Sequence, residues 1–222
     1  MIKIENVGVT GWMTAIRGMR NSWNSWDESD SDFCYKACDD IECENCMNID
    51  NCRIIGDKDL ELMKKLIKAG SSERKFLRFI NVTCDIVAPL YWWKEFDTYK
   101  VGTVRNSCST MHKIAAKEFT LDDFSHEQLT DTAIYDCLEN TITFLNTARQ
   151  MYIEKQGKSK AAWWQMIQLL PSSYNQRATV QLNYEVLMKM YHERKAHKLD
   201  EWNHFCAWVK ALPYMRELLN DG

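Results

Sequence analysis

The residues best suited to chemistry lie in a polar loop, residues 97–107, which follows a predicted strand and a short aromatic helix. The loop carries hydroxyl side chains, among them those of Thr98 and Thr103, and two cations, Lys100 and Arg105. A guanidinium can bind a phosphate through two parallel hydrogen bonds, and hydroxyl groups beside it can donate further ones. These residues therefore suit an anionic ligand. Loops held by a strand and a helix often bind ligands, so the sequence indicates a binding site here. The alternative is a solvated loop that binds nothing, because polar loops are common.

A second concentration of reactive side chains lies nearer the N-terminus. Five cysteines fall within nineteen residues: Cys34, Cys38, Cys43, Cys46 and Cys52. Cys43 and Cys46 form a C-x-x-C pair, the spacing with which two thiolates bind one metal ion. Four thiolates would hold zinc tetrahedrally, and an iron–sulfur cluster is the second option. The alternative is a reduced, metal-free loop, because there is no second C-x-x-C pair.

The polar loop must be positioned by elements that hydrophobic spacing predicts. The strand before it alternates, with Ile80, Val82, Cys84 and Ile86 on one side. Pro89 suits the first position of the aromatic helix, where its missing N–H costs nothing. The spacing of apolar residues predicts strands at residues 2–9 and 178–182. The same spacing, together with capping residues, predicts helices at residues 13–26, 57–69, 131–152, 160–170 and 200–212. A further helix is predicted to begin after Asn183. The helix at residues 131–152 is predicted to turn one apolar face inward, made of Ile134, Cys137, Leu138, Leu145, Ala148 and Tyr152.

Composition narrows the class of protein. The chain has 222 residues, of which 45% are hydrophobic and 27% charged, as in an ordinary globular protein. No apolar run approaches the ~20 residues that cross a bilayer, and the N-terminus lacks the apolar core of a signal peptide. We therefore expect a cytoplasmic protein without a membrane partner. The net charge of −3 argues against bulk nucleic-acid binding. Because repeats and long linkers are absent from the sequence, we expect a single domain over residues 1–222.

The loop and the helix before it resemble the first signature of the flavin-dependent thymidylate synthases, R-H-R-x-x-S-x-N-E-x-S-x-R-Y. Placed without gaps, this signature corresponds to Trp93-Lys94-Glu95, Thr98, Lys100, Val101, Thr103, Arg105 and Asn106. Thr98 and Thr103 keep hydroxyls where the family has serines, and Arg105 keeps an arginine that contacts the nucleotide in the family. Trp93-Lys94-Glu95 replaces the Arg-His-Arg triplet, which removes two cations and adds an anion.

The C-terminal half is similar to the family's second signature, which follows a Leu-Pro pair. Counted from Pro171, the arginine, asparagine and arginine of that signature correspond to Arg177, Asn183 and Arg194 with no gap. Residues 18–23 are similar to a segment near the family's N-terminus, and the cysteine-rich stretch at about residues 27–56 looks like an insertion. The local alternative is that Asn183 only caps a helix and the two arginines are surface residues.

The resemblance implies a fold, a reaction and an assembly. The fold is of the α/β class (α+β type), a mixed sheet flanked by helices, assembled as a homotetramer with sites between subunits. In the family, a flavin carries hydride to a uracil nucleotide while a folate supplies one carbon. The expected ligands are therefore a dUMP-like pyrimidine nucleotide, FAD, NADPH and methylenetetrahydrofolate, and the expected reaction is reductive methylation. The alternative is a non-catalytic descendant that binds a nucleotide or a protein partner, which the lost triplet favours.

The resemblance also assigns residues to roles. Thr103 is the candidate catalytic residue. The candidates for nucleotide and cofactor binding are Trp92, Trp93, Lys94, Thr98, Lys100, Arg105, Arg177, Asn183 and Arg194. The two tryptophans would supply stacking faces, and the cations would form a rearranged phosphate site. We expect Arg105, Arg177 and Arg194 to converge on one anionic ligand.

Overall fold

A computed structural model describes residues 2–33 and 53–219 of the chain. It has a mixed α/β fold in which helices flank a four-stranded antiparallel sheet, so the predicted fold class is confirmed. The strands are β1 (Lys3–Thr10), β2 (Asp32–Phe33), β3 (Arg53–Ile54), β4 (Asn81–Pro89), β5 (Val104–Ser107) and β6 (Asn175–Asn183). The sheet has the order β1-β4-β6-β5, and β2 and β3 form a separate two-stranded ribbon.

The helices follow the predicted pattern closely in the second half of the chain. They are α1 (Trp12–Asn21), α2 (Asp57–Ala69), α3 (Leu90–Phe96), α4 (Thr110–Lys113), α5 (Thr132–Glu154), α6 (Lys160–Leu169), α7 (Tyr184–Arg194), α8 (Asp200–Ala211) and α9 (Met215–Leu219). Short 3-10 turns cover Trp26–Glu28, Arg74–Phe79 and Leu121–Asp123. Helix α2 has the predicted bounds, because acids begin it and Gly70 ends it.

Three predictions about local structure were wrong. The first helix ends at Asn21 rather than continuing to Trp26, and Asn24, with φ of 47°, lies in the turn that follows. Pro89 precedes the first residue of α3 instead of occupying it, because it still belongs to β4. The end of the polar loop is strand β5, which is too short and too polar for alternation to reveal.

The described residues group into two compact units, each assembled from separate segments. Unit 1 contains residues 2–3, Ile86–Thr98 and Asn106–Ala178. Unit 2 contains residues 4–33, residues 53–85, Tyr99–Arg105 and residues 179–219. The organisation of the whole chain as one domain stays a prediction.

The hydrophobic core of unit 1 forms where α5 and α6 pack together. Leu145 and Met166 are fully buried in it, and Leu138 is nearly so. Ile134 and Cys137, predicted to face inward, are exposed instead. The prediction failed because α5 is apolar on more than one side, so spacing alone did not select the side that meets α6.

Unit 2 packs around aromatic side chains. The ring of Trp12 in α1 meets Tyr184 edge-on, with centroids 5.1 Å apart, and meets Tyr214 at 5.5 Å. The hydroxyl of Tyr184, which is fully buried, donates to the carbonyl oxygen of Pro213 at 2.8 Å. Burial raises the pKa of Tyr184, so the phenol remains protonated and keeps this hydrogen bond.

A buried ion pair joins α1 to α2 within unit 2. Arg20 Nε donates to Asp59 Oδ1 at 2.6 Å, and both side chains are buried. The hydroxyls of Ser29 and Ser31 donate to the other oxygen, Asp59 Oδ2, at 2.7 Å and 2.6 Å. Burial alone would raise the pKa of Asp59, but the hydrogen bonds from Ser29, Ser31 and Arg20 outweigh it and leave the pKa below its usual value.

Helices in the described ranges are all too short or too polar to span a bilayer.

Asp59→Ala is expected to lower the free energy of unfolding by about 3 kcal/mol or more, because it leaves the Arg20 guanidinium buried without its carboxylate. Urea unfolding measures the loss. Glu28→Ala is the control, since that carboxylate lies 3.7 Å from Arg20 Nη1 but is 74% exposed. The control should lose less than about 1 kcal/mol. Equal losses in the two variants would contradict the assignment.

The same pair predicts a pH dependence. Because the folded pKa of Asp59 is lowered, its stabilising contribution is fully present above the unfolded pKa and is lost as the pH falls through the folded one. The difference in stability between the natural protein and Asp59→Ala should therefore shrink in acid. A difference that stays constant down to strongly acidic pH would contradict this reasoning.

Candidate ligand-binding site

The two adjacent tryptophans of α3 lie inside the protein. Trp92 is 0% exposed and Trp93 is 2% exposed, and their rings meet edge-on with centroids 5.0 Å apart. The indole N–H of Trp93 donates to the carbonyl oxygen of Gln176 in β6 at 3.0 Å. Both rings also contact Phe96. This packing favours a structural role for them over the stacking role that the sequence suggested.

The end of α3 brings two further candidates, Lys94 and Thr98, to the surface. Lys94 is exposed and Glu95 is half-buried. The hydroxyl of Thr98 donates to the carbonyl oxygen of Glu95 at 2.7 Å, which ties the first residue of the loop to the last turn of the helix. The Thr98 hydroxyl therefore fixes the course of the chain, and it can still accept a hydrogen bond from a ligand.

The loop Tyr99–Arg105 is closed on itself by a threonine. The hydroxyl of Thr103 donates to the carbonyl oxygen of Tyr99. Gly102, with φ of +79°, turns the chain between them, a conformation that side chains other than glycine rarely adopt. The catalytic role suggested for Thr103 stays a prediction.

Asn183 connects this loop to the start of α7. Its Oδ1 accepts a hydrogen bond from the backbone N–H of Val186 at 3.0 Å, so the predicted cap is confirmed. A Cβ placed on Gly102 would lie 2.8 Å from Asn183 Nδ2 and 2.9 Å from Val186 Cγ2. A side chain at this position would have to displace Asn183 or Val186, so the loop lies directly against the cap.

Arg194, at the end of α7, lies against two aromatic rings. The centre of its guanidinium is 4.9 Å from the centroid of Trp202 and 5.6 Å from that of Tyr99. Its Nε donates to the Tyr99 hydroxyl oxygen at 2.9 Å, and that hydroxyl donates to Glu193 Oε2 at 2.8 Å. These contacts hold the cation in one place, as stacking and hydrogen bonding do in preorganised anion sites.

The surroundings of Arg194 keep the neighbouring groups neutral. Burial raises the pKa of Tyr99, and although Arg194 opposes that shift, the net result is a protonated phenol. Burial also raises the pKa of the Cys206 thiol to about 11, with Arg194 again opposing. The Tyr99 hydroxyl therefore links the Arg194 guanidinium to the carboxylate of Glu193 through two hydrogen bonds.

The three arginines expected to converge are divided between the units. Arg105 and Arg194 belong to unit 2, and both are half-buried. Arg177 belongs to unit 1, where its side chain is exposed and its carbonyl oxygen accepts from the N–H of Cys108 at 2.8 Å. Lys100, in the loop of unit 2, is exposed. Convergence of the three on one ligand stays a prediction.

Two acids close to Arg194 in the sequence, Glu185 and Glu201, have different surroundings. Glu185 forms an ion pair with Arg78 and lies 3.5 Å from Arg74 Nε, so basic residues of the Arg74–Phe79 turn already neutralise it. Glu201 is buried at the start of α8.

Sequence analysis did not identify the residues that hold Arg194. Tyr99 and Arg194 are 95 positions apart, and Trp202 lies in the next helix, α8. No local spacing could indicate such a contact. The sequence did contain one signal, which is the order of two helices along the chain. Arg194 ends α7, and Trp202 lies in the first turn of α8, which follows closely.

All the predicted metal ligands, Cys34, Cys38, Cys43, Cys46 and Cys52, lie outside the described residues. Within residues 2–33 and 53–219, no group of three or more histidine, cysteine, aspartate or glutamate side chains is arranged to hold a metal ion. Metal binding by the cysteine cluster stays a prediction.

The fold is similar to that of ThyX. A structure of the flavin-dependent thymidylate synthase ThyX from Helicobacter pylori, complexed with FAD and dUMP, has a TM-score of 0.64 and 18% identity, and the match covers 99% of this chain and 98% of that one. A second structure of Helicobacter pylori ThyX with FAD and dUMP has a TM-score of 0.62 and 18% identity, covering 100% and 98%. No protein-family model and no curated protein sequence matches the chain.

Asn183→Ala is expected to lower the free energy of unfolding by about 1 kcal/mol, because the N–H of Val186 loses its cap. Asn183→Asp is the matched control: it keeps an oxygen acceptor and places a carboxylate at the positive end of α7, so it should retain most of the stability. Chemical denaturation measures both. An aspartate variant as unstable as the alanine variant would show that Asn183 matters for its amide group rather than as a cap.

Proposed function

We propose that this protein binds a pyrimidine nucleotide of the dUMP class, together with FAD, as a divergent flavin-dependent thymidylate synthase-like enzyme. The observation that carries the proposal is the similarity of fold over nearly the whole of this chain to two ThyX structures that contain FAD and dUMP. The reaction proposed is reductive methylation of the nucleotide, with methylenetetrahydrofolate as the carbon source and NADPH as the reductant.

The described side chains of unit 2 fit a nucleotide phosphate. The loop Tyr99–Arg105 presents Lys100 and Arg105 and contains no acid. Arg194 is held in place by Tyr99 and Trp202. A phosphate on such cations would form charge-assisted hydrogen bonds, which are about twice as strong as neutral ones. We propose that Lys100, Arg105 and Arg194 bind the phosphate. Arg177 and Thr98 belong to unit 1, and ligand binding by them stays a prediction.

The described side chains fit the flavin ring less well. Trp92 and Trp93 were the sequence-based stacking candidates, and their packing leaves no open ring face for a ligand. When bound, FAD supplies the hydride transfer, and the protein positions the rings. FAD binding by this chain would therefore use residues other than these tryptophans.

A non-catalytic descendant is the second candidate, and one observation favours it. Trp93 corresponds in the resemblance to the first arginine of the triplet, and here it is a core residue that donates to Gln176. A side chain that completes the interior cannot supply the cation that the family uses at this place. If no other cation of this protein replaces that arginine, the protein would bind a nucleotide without converting it.

A thermal-shift panel of dUMP, other pyrimidine nucleotides and FAD tests binding. A nucleotide at about one hundred times its Kd should stabilise the protein by about 2.7 kcal/mol. Arg194→Ala should abolish that shift while the variant stays folded, whereas Arg17→Ala, an exposed arginine of α1, should leave it unchanged. Melting temperatures unchanged by every ligand would refute the proposal.

Catalysis is tested separately from binding. A yellow protein that oxidises NADPH only after a nucleotide is added supports the enzyme. A colourless protein that binds the nucleotide but oxidises no NADPH supports the non-catalytic descendant.

We also propose that the protein is a homo-oligomer, a tetramer as the resemblance implies. Support comes from the outer side of α5, where Cys137, Phe144 and Met151 recur every seven residues. Phe144 is 62% exposed and Met151 is 47% exposed, although a neighbouring side of the same helix is buried in unit 1. A helix with apolar residues on both sides is usually covered on both sides.

Light scattering at micromolar concentration should therefore give a mass of several chains. Phe144→Asp should lower that mass, because a carboxylate would be buried in an apolar interface. Glu139→Gln, an exposed change on the same helix away from these residues, is the control and should leave the mass unchanged. A monomeric mass for the natural protein would contradict the proposal.

A further inference from the structure

A cavity of about 480 Å³ lies beside the turn between α5 and α6, entirely within unit 1. It is a shallow depression that is widely open to solvent, so a ligand in it would keep one side exposed. The residues that line it come from α4, from the end of α5, from the turn after α5 and from the start of α6. The cavity takes no residue from the loop Tyr99–Arg105.

The inner wall of the cavity consists of two aromatic side chains. Tyr152 and Trp163 both line it, and both pack against the hydrophobic core of unit 1. The indole N–H of Trp163 donates to the carbonyl oxygen of Met111 at 2.9 Å, which fixes the ring against α4. Ring faces that are held before a ligand arrives lower the entropic cost of binding.

The rim of the cavity is basic. Lys158, Lys160 and His112 line it, and none of the residues that line it is acidic. Neither lysine forms an ion pair with any other described residue. An anion that enters the cavity would therefore meet positive charge that the described chain does not neutralise.

The turn between the helices positions the rim. Gly157, with φ of +72°, donates its backbone N–H to the carbonyl oxygen of Tyr152 at 3.0 Å. The N–H of Lys158 donates to the carbonyl oxygen of Lys155 at 3.0 Å. The side chain of Ser159 caps α6 by accepting a hydrogen bond from the backbone N–H of Ala162. Lys160 is the first residue of that helix and lies at its positive end. The backbone thus places both lysines beside the aromatic wall.

We infer that this cavity binds an organic phosphate whose uncharged part is a flat ring, a ligand of the mononucleotide class. The phosphate would be held by Lys158 and Lys160, and the ring would pack on Trp163 and Tyr152. This inference does not depend on the proposed function, because the two sites share no residue.

Isothermal titration at low ionic strength tests the site with adenosine 5′-monophosphate, adenosine and inorganic phosphate as probes. The monophosphate should bind at least about tenfold more tightly than either fragment, because only it uses both the rim and the wall. The double variant Lys158→Ala, Lys160→Ala should weaken its binding at least about tenfold. Lys155→Ala, an exposed lysine of the same turn that does not line the cavity, should bind it as the natural protein does.

A second variant separates this site from the proposed nucleotide site of unit 2. Arg194→Ala should retain the binding of adenosine 5′-monophosphate, even where it abolishes the dUMP shift. The inference is overturned if the natural protein does not bind the monophosphate, if inorganic phosphate binds as tightly, or if Lys155→Ala weakens binding as much as the double variant does.

Discussion

The antiparallel pairing of β4 with β6 is the interaction on which the other elements depend. At one end of the pair, the N–H of Tyr184 donates to the carbonyl oxygen of Ile80 at 3.0 Å. At the other end, the N–H of Leu90 donates to the carbonyl oxygen of Tyr174 at 3.0 Å. Because a slip of one residue would reverse every side chain of a strand, this register determines which residues are buried. It also fixes the starts of α3 and α7, since each helix follows its strand without a linker.

The position of α7 then constrains the polar loop. Asn183 is both the last residue of β6 and the cap of α7, and Gly102 lies against its amide with no room for a side chain. Further along the helix, Arg194 reaches the Tyr99 hydroxyl at the other end of the loop. The loop is therefore attached to one helix at two places. A ligand that binds Arg194 would meet a largely preorganised backbone, which lowers the cost of binding.

Sequence reasoning succeeded where a local pattern was sufficient. The bounds of α2, the alternation of β4 and the Asn183 cap all follow from neighbouring residues. It failed where the answer depended on distant residues. Trp93 is a core residue because its indole meets Gln176, which is 83 positions away, and the outer side of α5 is apolar without being part of its own core. Periodicity counts apolar residues but does not show what will cover them.

The burial of Trp93 bears directly on how a nucleotide could be bound. In the resemblance, this position belongs to a cation of the phosphate and flavin site. Placing a cation here would bury a charge among Trp92, Phe96 and the backbone of β6, at a cost of several kcal/mol unless it were paired. In this protein the position is filled by the indole of Trp93, whose N–H donates to the carbonyl oxygen of Gln176. Under the proposed function, cations for a phosphate would come from the loop and from α7, where the Asn183 cap and the Tyr99 hydroxyl hold the chain in place. Under the proposed function, nucleotide binding would therefore use a different set of charges, and hydride transfer, which needs the flavin ring held at a defined distance, would be the more demanding function.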